Sequence, residues 1–217
     1  MLLPDLRAVR LSLLACAAMA GGSSFPSAAQ SAPERGVFVT QIGDSQTATI
    51  IQRRADSFAQ VRQDGADNET SLRQDGTAPH FAQIAQDGDD NTAAAQQDGD
   101  GSTDLALAQV GNGNTALISQ REESARMQST AAVLQRGNGN SITLAQDGSD
   151  NQAQLTQEGD DNAMTASQVD NGNRLEWSQI GNGLSDLQII QTGGSTMQIT
   201  QSNAGAAFAP PPSSPGG

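Results

Sequence analysis

The 217-residue chain has no Tyr and no Lys, one His, one Cys and one Trp, and aromatic residues make up only 3% of it. A single His80 and a single Cys16 exclude a Cys/His zinc cluster and a disulfide framework by count. The longest apolar run, Leu11 to Ala20, is about half the roughly 20 residues that a membrane-spanning helix needs. Positive charge is scarce: 11 Arg face 24 acidic residues, for a net charge of −13. That sign opposes nucleic-acid backbones and anionic membranes, so no nucleic acid and no membrane span is expected. With 35% hydrophobic residues the chain has the composition of a disordered segment, unless a repeat organises what is there.

What is there is carboxamide: 25 Gln and 12 Asn. Residues 1–29 stand apart, with Arg7 and Arg10 ahead of the apolar run and a small-residue end, and they read as a secretory signal cleaved after Ala29 or Ala20. Cleavage removes Asp5, Arg7, Arg10 and Cys16, leaving 9 Arg against 23 acidic residues, or −14. A short leader, 30–34, precedes a repeat region, 35–201. Residues 202–217 end in a Pro/Gly/Ala tail that withholds amide donors and is expected to be disordered.

Across the repeat region Gln recurs at Gln41, Gln52, Gln63, Gln74, Gln86, Gln97, Gln109, Gln120, Gln135, Gln146, Gln157, Gln168, Gln179, Gln191 and Gln201, and nine of the fourteen gaps are eleven residues. The second and fourth residues before each Gln are apolar in 29 of 30 cases, Thr70 being the exception, while the interleaved residues favour Thr, Ser and Gln. Period two with one apolar face means a half-buried strand, and a helix would instead space its apolar positions by three and four. Trp177 falls in the inward phase beside Leu175.

Each strand is followed by a turn rich in Gly, Asn and Asp. Alternate turns differ. After every second Gln the turn has Gly two residues on, at Gly43, Gly65, Gly88, Gly111, Gly137, Gly159 and Gly181, whereas length changes gather in the other turns, the largest at Arg121 to Gln128. Two strands and two turns thus make one coil of about 22 residues. Stacked at ~4.8 Å, about seven such coils predict an all-β fold: a flattened β-solenoid whose two parallel sheets face each other across a thin core. The inward Gln, with Asn68, Asn91, Asn114, Asn140, Asn151, Asn162 and Asn173 six residues before a Gln, are expected to form ladders, because a carboxamide both donates and accepts. Asp64, Asp75, Asp87, Asp98 and Asp147 open their turns, where stacking brings like charges together and slows association, a gatekeeping role.

Catalytic chemistry has little to work with. No catalytic residue, metal site or cofactor is expected: His80 lies where sister units carry Ser or Asn, which makes it a variant ladder residue, and the acidic pairs Asp89-Asp90 and Asp160-Asp161 lie on turns. Two other readings stay open from the residues alone. One is a soluble solenoid binding calcium or a surface ligand through its Asp-rich turns, although the period is eleven and not nine. The other is a polysaccharide-active β-helix enzyme.

The pattern resembles the curlin repeat, S-x5-Q-x-G-x-G-N-x-A-x3-Q. Ser129, Gln135, Gly137, Gly139, Asn140 and Gln146 fit it with Ile142 in place of Ala. Ser57, Gln63, Gly65, Asn68 and Gln74 fit with Asp67 and Thr70 substituted, and Gln109, Gly111, Gly113, Asn114, Ala116 and Gln120 fit with Thr103 for Ser. The resemblance implies an exported, non-enzymatic subunit of curli, the amyloid fibres of bacterial surfaces, serving adhesion and biofilm matrix. Its implied partners are copies of itself stacked end to end, another curlin subunit or nucleator, and an outer-membrane export pore. The chain departs from the family in lacking Tyr, in its acidic density, and in having only a few residues where many curlins carry a Gly-rich leader.

Overall fold

Strict apolar/polar alternation interrupted by Gly, Asn and Asp turns leaves each segment one stable option, a short strand that buries one face. A computed structural model of the chain describes residues 35–53 and 56–203. The signal and leader assignments, and all of the tail beyond residue 203, lie outside the described residues. Fifteen strands follow in order: β1 (Gly36–Ile42), β2 (Thr47–Gln52), β3 (Phe58–Asp64), β4 (Glu69–Gln74), β5 (His80–Asp87), β6 (Thr92–Gly99), β7 (Ser102–Val110), β8 (Thr115–Glu122), β9 (Gln128–Arg136), β10 (Ser141–Gly148), β11 (Gln152–Glu158), β12 (Ala163–Val169), β13 (Arg174–Ile180), β14 (Ile189–Thr192) and β15 (Thr196–Ser202).

Odd strands form one parallel sheet in the order β1-β3-β5-β7-β9-β11-β13-β15, and even strands form the other, from β2 through to β14. This is the expected β-solenoid of about seven coils. Eight strands at ~4.8 Å give a stack roughly 34 Å tall. Pairing is in register with the repeat: Gln41 lies beside Gln63, Gln63 beside Gln86, and so on to Gln179 beside Gln201. The core is a single sandwich layer of inward pairs, including Ala59 and Val61, Leu105 and Leu107, Ile142 and Leu144, and Leu175 and Trp177. Trp177 is 1% exposed, in register between Leu155 and Ile199, as its phase requires. Thr70, the polar exception, is fully buried and satisfied, accepting from Gln63 Nε2 at 3.3 Å and donating to Gln86 Oε1 at 2.9 Å.

One inward position departs from expectation. Leu187, two residues before Ile189, is 49% exposed, and β14 has only four residues. The turn after Gln179 is one residue longer than its sisters, so segment 185–188 leaves the ladder, while the Leu184 N–H still donates to Asn162 Oδ1 at 3.0 Å. Asp186 Oδ1 takes over as acceptor there, at 2.9 Å from the amides of both Thr165 and Gln188.

Candidate assembly surfaces

The Gln side chains form two continuous files. In the first, Nε2 of each Gln donates to Oε1 of the Gln one coil on: Gln41 to Gln63 (2.7 Å), Gln63 to Gln86 (2.8 Å), Gln86 to Gln109 (2.9 Å), Gln109 to Gln135 (2.9 Å), Gln135 to Gln157 (3.0 Å), Gln157 to Gln179 (2.9 Å) and Gln179 to Gln201 (2.8 Å). The second runs Gln52, Gln74, Gln97, Gln120, Gln146, Gln168, Gln191 at 2.6 to 3.1 Å. Every link points the same way, so each file has an acceptor end at Gln41 or Gln52 and a donor end at Gln201 or Gln191. The other N–H of the amide has a job that sequence reasoning did not foresee. It crosses to a carbonyl near the start of the preceding strand in the facing sheet, as Gln63 does to Thr47 O (3.0 Å), Gln74 to Phe58 O (3.0 Å) and Gln157 to Ser141 O (3.1 Å). One side chain therefore joins coil to coil and sheet to sheet.

Asparagines do the same at the turns. Asn68, Asn91, Asn114, Asn140 and Asn162 form a file on the edge that follows the eight-stranded sheet, where the backbone N–H of each donates to Oδ1 of the one before at 3.0 to 3.1 Å. Nδ2 of each caps a glycine carbonyl, Gly88, Gly111, Gly137, Gly159 and Gly181 in turn. Those glycines are obligatory. Gly111 has φ of +109°, and a Cβ there would strike Gly137 O of the next coil. Gly43, Gly65, Gly88, Gly137 and Gly159 meet the next coil's carbonyl in the same way, and at Gly181 the obstacle is Asn203 Oδ1. On the second edge the file mixes chemistries: His80 N donates to Ser57 Oγ (3.1 Å), His80 Nε2 donates to Asp75 O (2.6 Å), and His80 Nδ1 accepts from the Thr103 hydroxyl (3.0 Å). Farther along, Asn151 N donates to Ser129 Oγ and Asn173 N to Asn151 Oδ1, each at 3.1 Å. His80 is thus a ladder residue with both ring nitrogens engaged.

The turn carboxylates are not placed alike. Asp64 and Asp87 are register neighbours on β3 and β5, although Arg62 meets Asp64 at 2.7 Å. Asp98 and Asp147 both flank Arg121 in register, and Arg121 approaches Asp147 at 3.7 Å. Asp75 lies between Arg53 (2.9 Å) and Arg73 (2.7 Å). Desolvation alone would raise the Asp75 carboxyl. The Gly76 N–H and the charges of Arg53 and Arg73 outweigh it and hold the group below the usual carboxylate range. Asp64, Asp75 and Asp147 therefore each meet an arginine instead of facing only like charge, and Asp87 stands in register beside Asp64.

Three further features escaped sequence reasoning. Glu122 continues the inward phase of β8 one step past Gln120 and is fully buried, accepting from Ser129 Oγ, Asp150 N and Ser124 N at 2.9 Å each. It fills the corner opened by the long turn, and only glycine fits at Gly101, where a Cβ would strike the Ser124 carbonyl as well as Glu122 Cγ. Reading the alternation two residues beyond Gln120 would have found it. On the exposed side of the first edge runs a further file, in which the amides of Ala66, Asp89, Asn112, Asn138 and Asp160 donate to Oδ1 of Asp89, Asn112, Asn138, Asp160 and Asn182 at 2.8 to 3.0 Å. Its signal was an Asn or Asp three residues after alternate Gln. In the first coil, Gln46 Nε2 reaches Ile42 O and Gly65 O (2.7 Å each), and Gln46 Oε1 is buried without a partner.

The two ends are open. Val37 and Val39 are 46% and 45% exposed, whereas Val61, one coil in from Val39, is 1% exposed. At the other end Met197 and Ile199 of β15 are only partly buried. β1 and β15 are the edge strands of one sheet, β2 and β14 of the other. Among the described residues no cluster of His, Cys, Asp or Glu has the arrangement to hold a metal ion, and no helix is long and apolar enough to cross a membrane. An open polar depression beside the long turn is lined by Gly76, Asp98, Gly99, Asp100, Arg121 and Glu123, without the apolar walls of a small-molecule pocket.

Residues 128–159 match the family model of the curlin associated repeat. The match spans β9, β10 and β11 with the turns between them, and bears out the resemblance carried by Ser129, Gln135, Gly137, Asn140 and Gln146. No curated protein and no solved structure matched the chain.

Proposed function

We propose that this protein is a secreted structural subunit that polymerises end to end into curli-like amyloid fibres on the bacterial surface, contributing to adhesion and biofilm matrix. One observation carries the reading: the two ends of the eight-stranded sheet are complementary. Its Gln file starts with an acceptor at Gln41 and finishes with a donor at Gln201, the unpaired strand edges are parallel, and inward apolar residues at both ends are incompletely covered. A second copy stacked in register places Gln41 Oε1 beside the donor of Gln201, closes the sheet between β15 and β1, and covers Val37 and Val39. Fully burying a Val is worth about 1.5–3 kcal/mol, so completing two half-covered residues contributes on the order of 2 kcal/mol, besides the backbone hydrogen bonds between β15 and β1. Partners on this reading are further copies of the chain, a second curlin-type subunit acting as nucleator, and an export pore.

The test is thioflavin fluorescence with electron microscopy on purified residues 30–217 without added metal. Unbranched fibres and a sigmoidal fluorescence rise are expected. A chain that stays monomeric over days, or that assembles only with a divalent cation that sodium cannot replace, would overturn the proposal.

A further inference from the structure

Four of the twelve asparagines precede glycine: Asn112-Gly113, Asn138-Gly139, Asn171-Gly172 and Asn182-Gly183. In an unfolded chain such a pair is reactive, because glycine has no Cβ to hinder approach of its amide nitrogen. That nitrogen attacks the Asn Cγ and loses its proton, ammonia leaves, and a five-membered succinimide forms. Water then opens the ring at either carbonyl, giving aspartate or isoaspartate.

Both reacting groups are held in this fold. The glycine N–H donates to a carbonyl one coil back at all four sites: Gly113 to Asp89 O (2.9 Å), Gly139 to Asn112 O (2.9 Å), Gly183 to Asp160 O (2.8 Å) and Gly172 to Ser149 O (2.8 Å). The Asn Oδ1 accepts a backbone N–H from that same neighbouring coil: Asp89 N for Asn112, Asn112 N for Asn138, Asp160 N for Asn182, and Ser149 N for Asn171. The nucleophile and the carboxamide it must attack are thus both tied to another coil. The glycines sit at φ of +62° to +75°, fixed in left-handed turns.

We propose that Asn112, Asn138, Asn171 and Asn182 are spontaneous deamidation sites of the unfolded chain, and that coil stacking is what protects them. The two products have different fates. Aspartate fits the exposed file, where Asp89 and Asp160 already occupy the same place and accept the same bond through Oδ1. Isoaspartate routes the backbone through the side-chain carbon and lengthens it by one atom, which breaks the register between glycine N–H and the carbonyl one coil back. Chains that linger unfolded therefore accumulate a lesion that the stack rejects, so the four sites record time spent unfolded.

The test holds the full chain in denaturant or in folding buffer, at the same mildly alkaline pH and temperature, and follows peptide mass together with isoaspartyl methyltransferase labelling. The four Asn-Gly sites should convert ahead of the other eight asparagines in denaturant, and at least ~10-fold more slowly when folded. Equal rates in the two conditions, or no preference for these four, would overturn the proposal. Denatured chains aged to partial conversion are then returned to folding buffer, with Asn112→Asp as a reference for the aspartate product. Isoaspartate at residue 138 should concentrate in the fraction that fails to regain β-sheet circular dichroism, while the Asn112→Asp chain refolds. Isoaspartate divided evenly between the fractions, or failure of Asn112→Asp to refold, would contradict the claim that the turn separates the two products.

Discussion

Each inward Gln serves two neighbours, which sets what its loss does. Replacing Gln63, Gln109 and Gln157 together by Ala removes six of the seven links of one file and leaves the carbonyls of Thr47, Thr92 and Ser141 without their amide donors. At ~0.5–1.5 kcal/mol per bond, and more for a buried group left unsatisfied, the cost is several kcal/mol, so fibre elongation followed by thioflavin should slow sharply. Unchanged kinetics would exclude the ladders as a determinant of assembly. Glycines divide in the same physical way. Gly111→Ala meets both a positive φ and the Gly137 carbonyl, whereas Gly183→Ala meets a positive φ with nothing within 4 Å of the added methyl. The second should cost ~1–2 kcal/mol and the first more, which thermal unfolding reads directly. The inward phase of Gln was legible because it shares period two with the apolar pairs. The cross-sheet bond was not, because spacing along the chain does not say which carbonyl of the facing sheet an amide will reach.

Strands and turns respond to charge according to their partners. Asp87 lies in register beside Asp64, so Asp87→Asn, which keeps the Arg62–Asp64 pair, should shorten the assembly lag at low ionic strength, and salt should then have less effect, since screening over ~10 Å at 0.1 M acts on the same repulsion. Asp75→Asn should not shorten the lag, because it strands Arg53 and Arg73. A lag shortened equally by both changes would mean that net charge, not pairing, controls association. Acid adds a check on sign. The folded-state pKa of Asp75 is depressed, so its contribution is present above the unfolded value of about 3.9 and is lost as pH falls through the lower folded value. Acid unfolding of Asp75→Asn should therefore be less pH-dependent in that window than that of the parent chain. The turn positions of these Asp were legible from the repeat. Their pairing with Arg was not, since Arg53 and Asp75 are 22 residues apart and meet only once the coils stack. β14 was misread for a related reason: one added residue after Gln179 displaces Leu187, and period alone does not say which residue a longer turn absorbs.

A solenoid buries its interior coils by stacking, so one chain already holds much of what a fibre would. Trp177 illustrates this. The indole is buried in the single chain and its Nε1 donates to Gln201 Oε1 at 3.0 Å, so blue-shifted, quencher-resistant emission should accompany folding and change little on assembly. Quenchable emission from folded protein would place the strand in the opposite phase. What polymerisation adds lies at the two ends, and the most direct measurement joins them covalently. Thr40 on β1 pairs with Arg62, and Thr200 on β15 pairs with Ser178, all at the same register position. Head-to-tail stacking therefore sets Thr200 of one copy beside Thr40 of the next, at a strand spacing of ~4.8 Å that lies within disulfide range. In a chain of residues 30–217 carrying both Thr40→Cys and Thr200→Cys, oxidation of assembled material should give a ladder of disulfide-linked oligomers, and either single variant should give none. Absence of cross-links in the double variant, or dimers from Thr40→Cys alone, would contradict head-to-tail stacking.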